Sequence, residues 1–339
     1  MAFSSHQSSG KAPSLRDVAA LAGCSPQTAS RVARGAAGVR PATRAKVEEA
    51  MEKLSYVPNR AAQALRTGSF HTIGVLTQRV ELTGESHTLG GVLDAAHERG
   101  YTISVSQVAH PEADEVHAAI TGLVRQPVEG LIIVQSGSAT YEHLALPSHL
   151  AVATSDSELV GYYPSASADQ VFGVSAAIDH LFNLGHRHIQ HVSGPVDAQS
   201  AAVRSTAWAR RLEHYRLPLS KPIPGGWSAA DGYRAYTHLD PRTTAVFCAN
   251  DEVALGLMCA LHENGIRVPG DISIVGFDGL PLGAYSFPPL TTVVQDFHRT
   301  GEAMVDLIAA QLDRTLRETD RSLLIPTRLE VRASTGAPA

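Results

Sequence analysis

The chain of 339 residues holds three cysteines, Cys24, Cys248 and Cys259. They are too few for a disulfide framework, and their spacing fits no zinc knuckle. The opening MAFSSHQSSGKAP is polar, without a charged start leading into an apolar stretch, so no secretory signal is expected. Apolar runs such as GLIIV have the length of a core strand and fall far short of a membrane span. No GxSxG elbow, GxGxxG turn or phosphate loop stands where a strand meets a helix. His180, His186, His188 and His191 cluster in sequence but lack helical ligand spacing, so no metal is expected. These absences point to a cytoplasmic protein with reduced thiols, no membrane partner and no cofactor, and argue against an enzyme.

Hydrophobic content of 44% is ample for a buried core, and at this length two or three folded units are expected. The formal charge of −5 is unevenly spread. Residues 1–68 carry ten Lys and Arg against four acids, a formal +6, and the other 271 residues carry −11. A basic module joined to an acidic body implies that the first part alone meets a polyanion.

Within that module, Ser14 followed by Asp17 forms a capping-box pattern that starts a helix. Leu15, Val18, Ala19 and Ala22 then give one apolar stripe. Gly23 ends the helix and permits a tight turn. Ser25 caps a second helix, with Pro26 at its tolerated first position. Ala29, Val32 and Ala33 turn inward, and Gln27, Arg31 and Arg34 share the opposite face. A third helix follows Pro41, with Val47, Ala50, Met51 and Leu54 as its stripe. Two short helices across a small-residue turn, the second with Gln and Arg outward, make a helix-turn-helix. Arg can donate two bonds to guanine, and Gln can pair with adenine in the major groove.

Next, YVPNRAAQALRTG places Asn59 as the N-cap of a short helix ended by Gly68, too short to be stable alone in water. The stretches LRDVAALAGCSPQTASRV and RAKVEEAMEKLSYVPNRAAQALRTG resemble the lactose repressor family of bacterial regulators (LacI/GalR type). The resemblance runs on through almost the whole chain. It implies that Ser25, Pro26, Gln27, Thr28, Ser30 and Arg31 face operator DNA. It further implies that 59–68 is a hinge helix folding on the operator and inserting Leu65 into the minor groove, with Asn59, Ala62 and Gln63 around it. Two departures matter. Pro26 offers only an apolar ring at the first recognition position, so base reading should rest on Gln27 and Arg31. Arg40 replaces the usual Ser or Thr cap, so the third helix should start less firmly.

From residue 69 short β-rich runs alternate with helical stretches. HTIGVL, YTISVS, GLIIVQ and LAVAT read as strands, with helices at 88–99 and 112–126. The rhythm restarts after about 169, with strands HIQHVS, AVFCA and ISIVGF and helices at 200–214 and 252–264. Such alternation predicts parallel sheets flanked by helices, with ligands at the carboxyl ends of strands. The resemblance implies a two-lobed core of periplasmic-binding-protein type. The expected organisation is a disordered tail (1–11), an all-α helix-turn-helix head (12–58), the hinge helix (59–68), lobe 1 (69–168 and 296–331), lobe 2 (169–295) and a disordered tail (332–339).

Carboxylates, amides, guanidinium and an aromatic face at strand ends suit a polyhydroxylated ligand. The resemblance implies effector contacts for Asp156, Ser200, Arg204, Trp227, Asn250 and Asp278, with Leu82 and Phe297 nearby, and favours a glycoside such as a galactoside. Arg204 and Asp278 alone are less telling, because purine-responsive relatives share both types. In the first lobe Gly84, Glu85 and Thr88 replace more apolar or rigid residues. Glu85 either bonds a second sugar or aglycone, or points into water. The expected function is a homodimeric repressor on near-palindromic operator DNA, released by a small sugar. The rivals are a corepressed or partner-assisted regulator and a sugar-binding transport protein.

Overall fold

The computed structural model describes residues 13–57, 70–108, 113–134, 146–155, 157 and 159–339. The chain divides into two compact units, Met1–Phe70 and His71–Ala339. Asn59, Ala62, Gln63 and Leu65, expected on a hinge helix, lie outside the described residues, as does Asp156.

The first unit contains α1 (Leu15–Ala22), α2 (Pro26–Ala33) and α3 (Pro41–Lys53). Ser14 and Asp17 form the reciprocal capping box, and Gly23 closes α1 at φ 62°, a left-handed conformation that costs glycine little. Ser25 accepts the Thr28 N–H at 3.1 Å to cap α2. At the start of α3 no side chain caps the helix at Arg40, and Pro41 fixes the first turn instead. Val18, Ala19, Ala29, Val32, Val47 and Ala50 form the core where the three helices meet.

The second unit is two lobes, each a sheet with helices on both faces. In lobe 1, β1 (Thr72–Thr77), β2 (Thr102–Gln107), β3 (Gly130–Ile133), β4 (Ala151–Thr154), β5 (Ser165–Ala168) and β10 (Ser322–Ile325) form an all-parallel sheet. Its order is β10-β5-β4-β3-β1-β2. It is covered by α4 (Thr83–Glu98), α5 (Ala113–Val124) and α10 (Phe297–Leu312). In lobe 2, β6 (Ile189–Val192), β7 (Ala245–Cys248), β8 (Ser273–Asp278) and β9 (Thr291–Val294) run parallel, and β11 (Arg328–Glu330) joins β9 antiparallel. The covering helices are α6 (Gln170–Asn183), α7 (Gln199–His214), α8 (Ala229–Ala235) and α9 (Asp251–Glu263).

Burial on both faces explains the unbroken apolar runs of these strands. Along β3, Ile132 joins one core cluster while Leu131 and Ile133 join the cluster on the opposite face. Along β7, Ala245 and Phe247 face one cluster, Val246 and Cys248 the other. In lobe 1, α4 and α10 approach through glycines. A Cβ on Gly91 would lie 2.9 Å from His298 Cα, and one on Gly301 would lie 2.7 Å from the Val92 nitrogen.

The chain crosses between lobes after β5, after β9 and after β10. Two expected boundaries need correction. Lobe 1 ends at β10, because β11 pairs with β9 in lobe 2. The tail 332–339 is not loose. Ile274 N–H donates to the Ser334 carbonyl at 2.8 Å, the Ser334 hydroxyl donates to the Ile274 carbonyl at 2.6 Å, and Gly336 N–H donates to Ser273 Oγ at 3.0 Å. Small hydroxyl residues that look like a polar tail thus satisfy the backbone of β8. No helix among the described residues is long and apolar enough to cross a membrane.

Candidate DNA-facing surface and effector cleft

On the first unit, Gln27 and Arg31 sit at i and i+4 of α2 and Arg34 is its C-cap residue, all three exposed. Three carboxylates of this unit, Glu48, Glu49 and Glu52, sit on α3, where Arg44 pairs with Glu48 at 3.8 Å and Lys53 with Glu49 at 2.7 Å. The α2 face is therefore left basic. Pro26 is exposed, while Ser25 and Thr28 join their hydroxyls at 2.9 Å in the helix cap. Sequence reasoning missed two contacts. Arg31 Nη2 donates to the Ala37 carbonyl at 2.8 Å, and Arg34 Nε to the Ser30 carbonyl at 2.9 Å. A guanidinium has five N–H donors, so Arg31 can brace the α2–α3 loop and still offer a pair.

In the second unit the ends of β1, β7 and β8 meet the start of α7 at a cleft between the lobes. Its lobe 2 wall holds Ser200, Arg204, Trp227, Asn250, Glu252 and Asp278, and its lobe 1 wall holds Leu82, Thr83, Gly84, Glu85, Thr88, Val134 and Phe297. Of the residues expected to bind effector, eight are gathered here and Asp156 lies outside the described residues.

Arg204 is buried and held at each of its three nitrogens. Its Nε donates to Gln170 Oε1 at 2.7 Å, its Nη1 donates to the Ala249 carbonyl, and its Nη2 lies 3.3 Å from Asp278 Oδ1. The guanidinium stacks 3.9 Å from the Phe277 ring centroid and 5.6 Å from that of Trp227. Asp278 ends β8 at φ 107°, a strained backbone for a residue with a Cβ and one characteristic of functional sites. Gln295 Nε2 donates to Asp278 Oδ1 at 2.7 Å, and Gln170 Nε2 reaches Gln295 Oε1 at 3.4 Å. Arg204, Asp278, Gln295 and Gln170 thus close a buried ring. Gln170 directly follows the first lobe crossing and Gln295 directly precedes the second. Burial pushes the Asp278 carboxyl up to about 6, against the pull of Arg204 and Gln295.

Asn250 is more committed than the sequence suggested. Its Oδ1 caps α9 by accepting the Val253 N–H at 2.9 Å, and its Nδ2 donates to the Trp227 carbonyl at 3.0 Å and Glu252 Oε2 at 2.6 Å. The neighbouring Asp251 faces inward, holding Thr292 Oγ1 at 2.5 Å and Leu280 N–H at 2.6 Å. Burial pushes its carboxyl up to about 8. Trp227 packs its ring over Gly194, where a Cβ would sit 2.7 Å from Cη2.

On the lobe 1 wall, Glu85 does not point into water. It is buried on α4, and Phe297 lies beside Gly84. The two walls touch through Thr83, whose hydroxyl donates to Glu252 Oε1 at 2.5 Å. The cleft is half open to solvent, and its cavity of about 60 Å³ has room for a few waters, below the roughly 300–1,000 Å³ typical of ligand sites. Thr83, Glu252, Gln170 and Gln295 carried no sequence signal of these roles.

The histidines belong to the packing. His186 bonds Thr244, Ser273 and the Gly336 carbonyl, and His191 bonds the Phe247 carbonyl and Ser205. Burial lowers His191 to about 4. Among the described residues no group of three His, Cys, Asp or Glu is placed to hold a metal ion.

Comparison with known proteins agrees with this layout. Residues 14–59 match the profile of bacterial regulatory proteins of the lacI family, and residues 178–335 match the periplasmic binding protein-like domain. The chain is 34% identical over 336 residues to the lactose operon repressor of Escherichia coli K12, covering 97% of this chain and 92% of the relative. The solved lac repressor dimer bound to operator and the anti-inducer ONPF superposes with a TM-score of 0.88 at 33% identity, covering 96% of this chain and all of that one. The complex of the transcriptional regulator CelR with cellobiose superposes with a TM-score of 0.70 at 26% identity, covering 95% and 99%.

Proposed function

The chain belongs to the lacI family and is a DNA-binding transcriptional repressor with a ligand-binding core, and we propose that its effector is a small sugar bound between the two lobes. The observation that carries this reading is the Arg204–Asp278 pair, 3.3 Å apart and buried beside Trp227 in the cleft. A fixed carboxylate and a planar donor fork recognise vicinal hydroxyls, and an indole face suits the apolar face of a sugar ring. The solved relative bound to cellobiose supports a glycoside, and a galactoside is the form we favour.

The head acts as half of a pair. One small helix-turn-helix reads a half-site, so a homodimer on a near-palindromic operator doubles the contacts. In this reading Gln27 and Arg31 read bases, and the 59–68 segment is the hinge helix that enters the minor groove through Leu65. Such a protein works in the cytoplasm, where its operator lies. Sugar binding parts Thr83 from Glu252 and draws on Asp278, whose partner Gln295 stands at a lobe crossing. The lobe angle then shifts and loosens the paired hinge segments. Coupling of this kind is typically worth ~1–3 kcal/mol, or roughly 5- to 150-fold in affinity.

Fluorescence anisotropy on palindromes from the gene's own upstream region, with and without a panel of neutral glycosides, tests the proposal. Release of DNA by a glycoside is the expected result. Tighter binding with a ligand would make the protein a corepressed regulator, and indifference to every sugar would remove the effector assignment.

A further inference from the structure

Glu85 is the third residue of α4, and its two carboxylate oxygens are used unequally. Oε2 accepts the Thr77 hydroxyl and the backbone N–H groups of Gln78 and Arg79, the latter two at 2.9 Å, and so fastens the turn between β1 and α4. Oε1 is equally buried, yet no protein group among the described residues donates to it. The side chain is 5% exposed and lines the cleft. Fastening that turn takes one oxygen, so it accounts for Oε2 and leaves Oε1 unexplained. Buried acceptors are ordinarily satisfied, which makes a donor arriving from the cleft the natural partner.

Charge narrows what that donor belongs to. The described lining contains three carboxylates, Glu85, Glu252 and Asp278, against one cation, Arg204. Arg204 is already paired with the Asp278 carboxylate, so its charge is compensated before an anion could use it. Glu252 adds a second carboxylate opposite Glu85, bound to Thr83 and Asn250.

Resting on the sugar reading above, we propose that Glu85 is the specificity-determining residue of the first lobe. Its Oε1 accepts a hydroxyl or ammonium hydrogen from the second ring or aglycone of the effector. The cleft therefore takes neutral or amino sugars with a donor at that end and rejects phosphorylated or carboxylated ones.

Glu85→Gln is the informative variant. Its amide oxygen can keep the three turn donors while the NH₂ takes the place of Oε1, turning an acceptor into a donor with little change of shape. Isothermal titration of the full chain with lactose, cellobiose, galactosamine and galactose 6-phosphate, supported by Trp227 fluorescence and thermal melting, reads the effect. The wild type should bind at least one neutral or amino sugar and not the phosphate. Glu85→Gln should melt like the wild type and bind that sugar about 10- to 100-fold more weakly, the usual range for losing a charged hydrogen bond. Wild-type binding of the phosphate as tight as that of the neutral sugars overturns the inference while leaving the sugar reading intact, as does an unchanged affinity in Glu85→Gln. Failure of every sugar to bind overturns the sugar reading itself, and this inference with it.

Discussion

Gln295 and Asp278 are joined by a 2.7 Å hydrogen bond that ties a lobe crossing to the carboxylate at the floor of the cleft. A change at Asp278 is thereby felt where the chain passes between lobes. Gln295→Leu removes that donor and leaves Asp278 with Arg204. Sugar affinity should fall by about 1–3 kcal/mol, and the ratio of operator affinities with and without saturating sugar should shrink. Titration calorimetry gives the first and anisotropy the second. A variant with normal sugar affinity and a normal operator ratio would show the bond to be mere packing.

The effector response should depend on pH through Asp278. Its carboxyl is raised to about 6 in the folded chain, against about 3.9 in an unfolded one. The protonated form is favoured by folding, so the stability it contributes is complete below about pH 4 and lost as pH rises through 6. Sugar hydroxyls donate to the charged form, so binding has the opposite slope. Affinity should rise as pH climbs from 5 to 7 and then level off. Asp278→Asn, though a weaker binder, should lose this slope. A flat wild-type profile would count against direct contact.

For Arg31→Ala, operator affinity should drop by ~1–3 kcal/mol with little change on random DNA. The bond from Arg31 Nη2 to the Ala37 carbonyl adds a check. If bracing the α2–α3 loop were its whole role, the head's melting temperature would fall and both DNAs would lose equally. Equal losses without a fall in melting temperature would place Arg31 on a phosphate.

Gly91→Ala should destabilise the core of lobe 1. The new methyl meets the backbone of α10 at His298, which can yield only if the helices separate. Overpacking of this kind costs ~1–3 kcal/mol, a fall of several degrees in calorimetric melting. An unchanged melting curve would mean that the α4–α10 contact is looser than the glycines suggest.

How much of this was legible depends on how local the cause is. Ser14 with Asp17 and Ser25 before Pro26 marked helix starts, because caps act over three residues. The apolar runs at 130–134 and 245–249 marked strands buried on both sides. β5, with sequence SASA, gave no such signal, because it is built of small residues and held by its neighbours. The first body helix begins at Thr83, several residues before the apolar pattern suggested, since Glu85 and Thr88 are buried polar residues on it. Glu85 stayed ambiguous because its partner Thr77 lies on a strand facing it. Gln170 and Gln295 were invisible because their contact spans 125 residues.

The three lobe crossings also set an order of assembly during synthesis. The strands β6 to β9 of lobe 2 and their helices form one continuous stretch, whereas the lobe 1 sheet waits for α10 and β10, made more than 120 residues after β5. As the chain leaves the ribosome, the apolar face of β3 and β4 that α10 will cover stays bare while most of lobe 2 is being made. Lobe 1 therefore carries uncovered apolar surface through that interval, and slowed translation across 170–296 should lower the soluble yield of the chain.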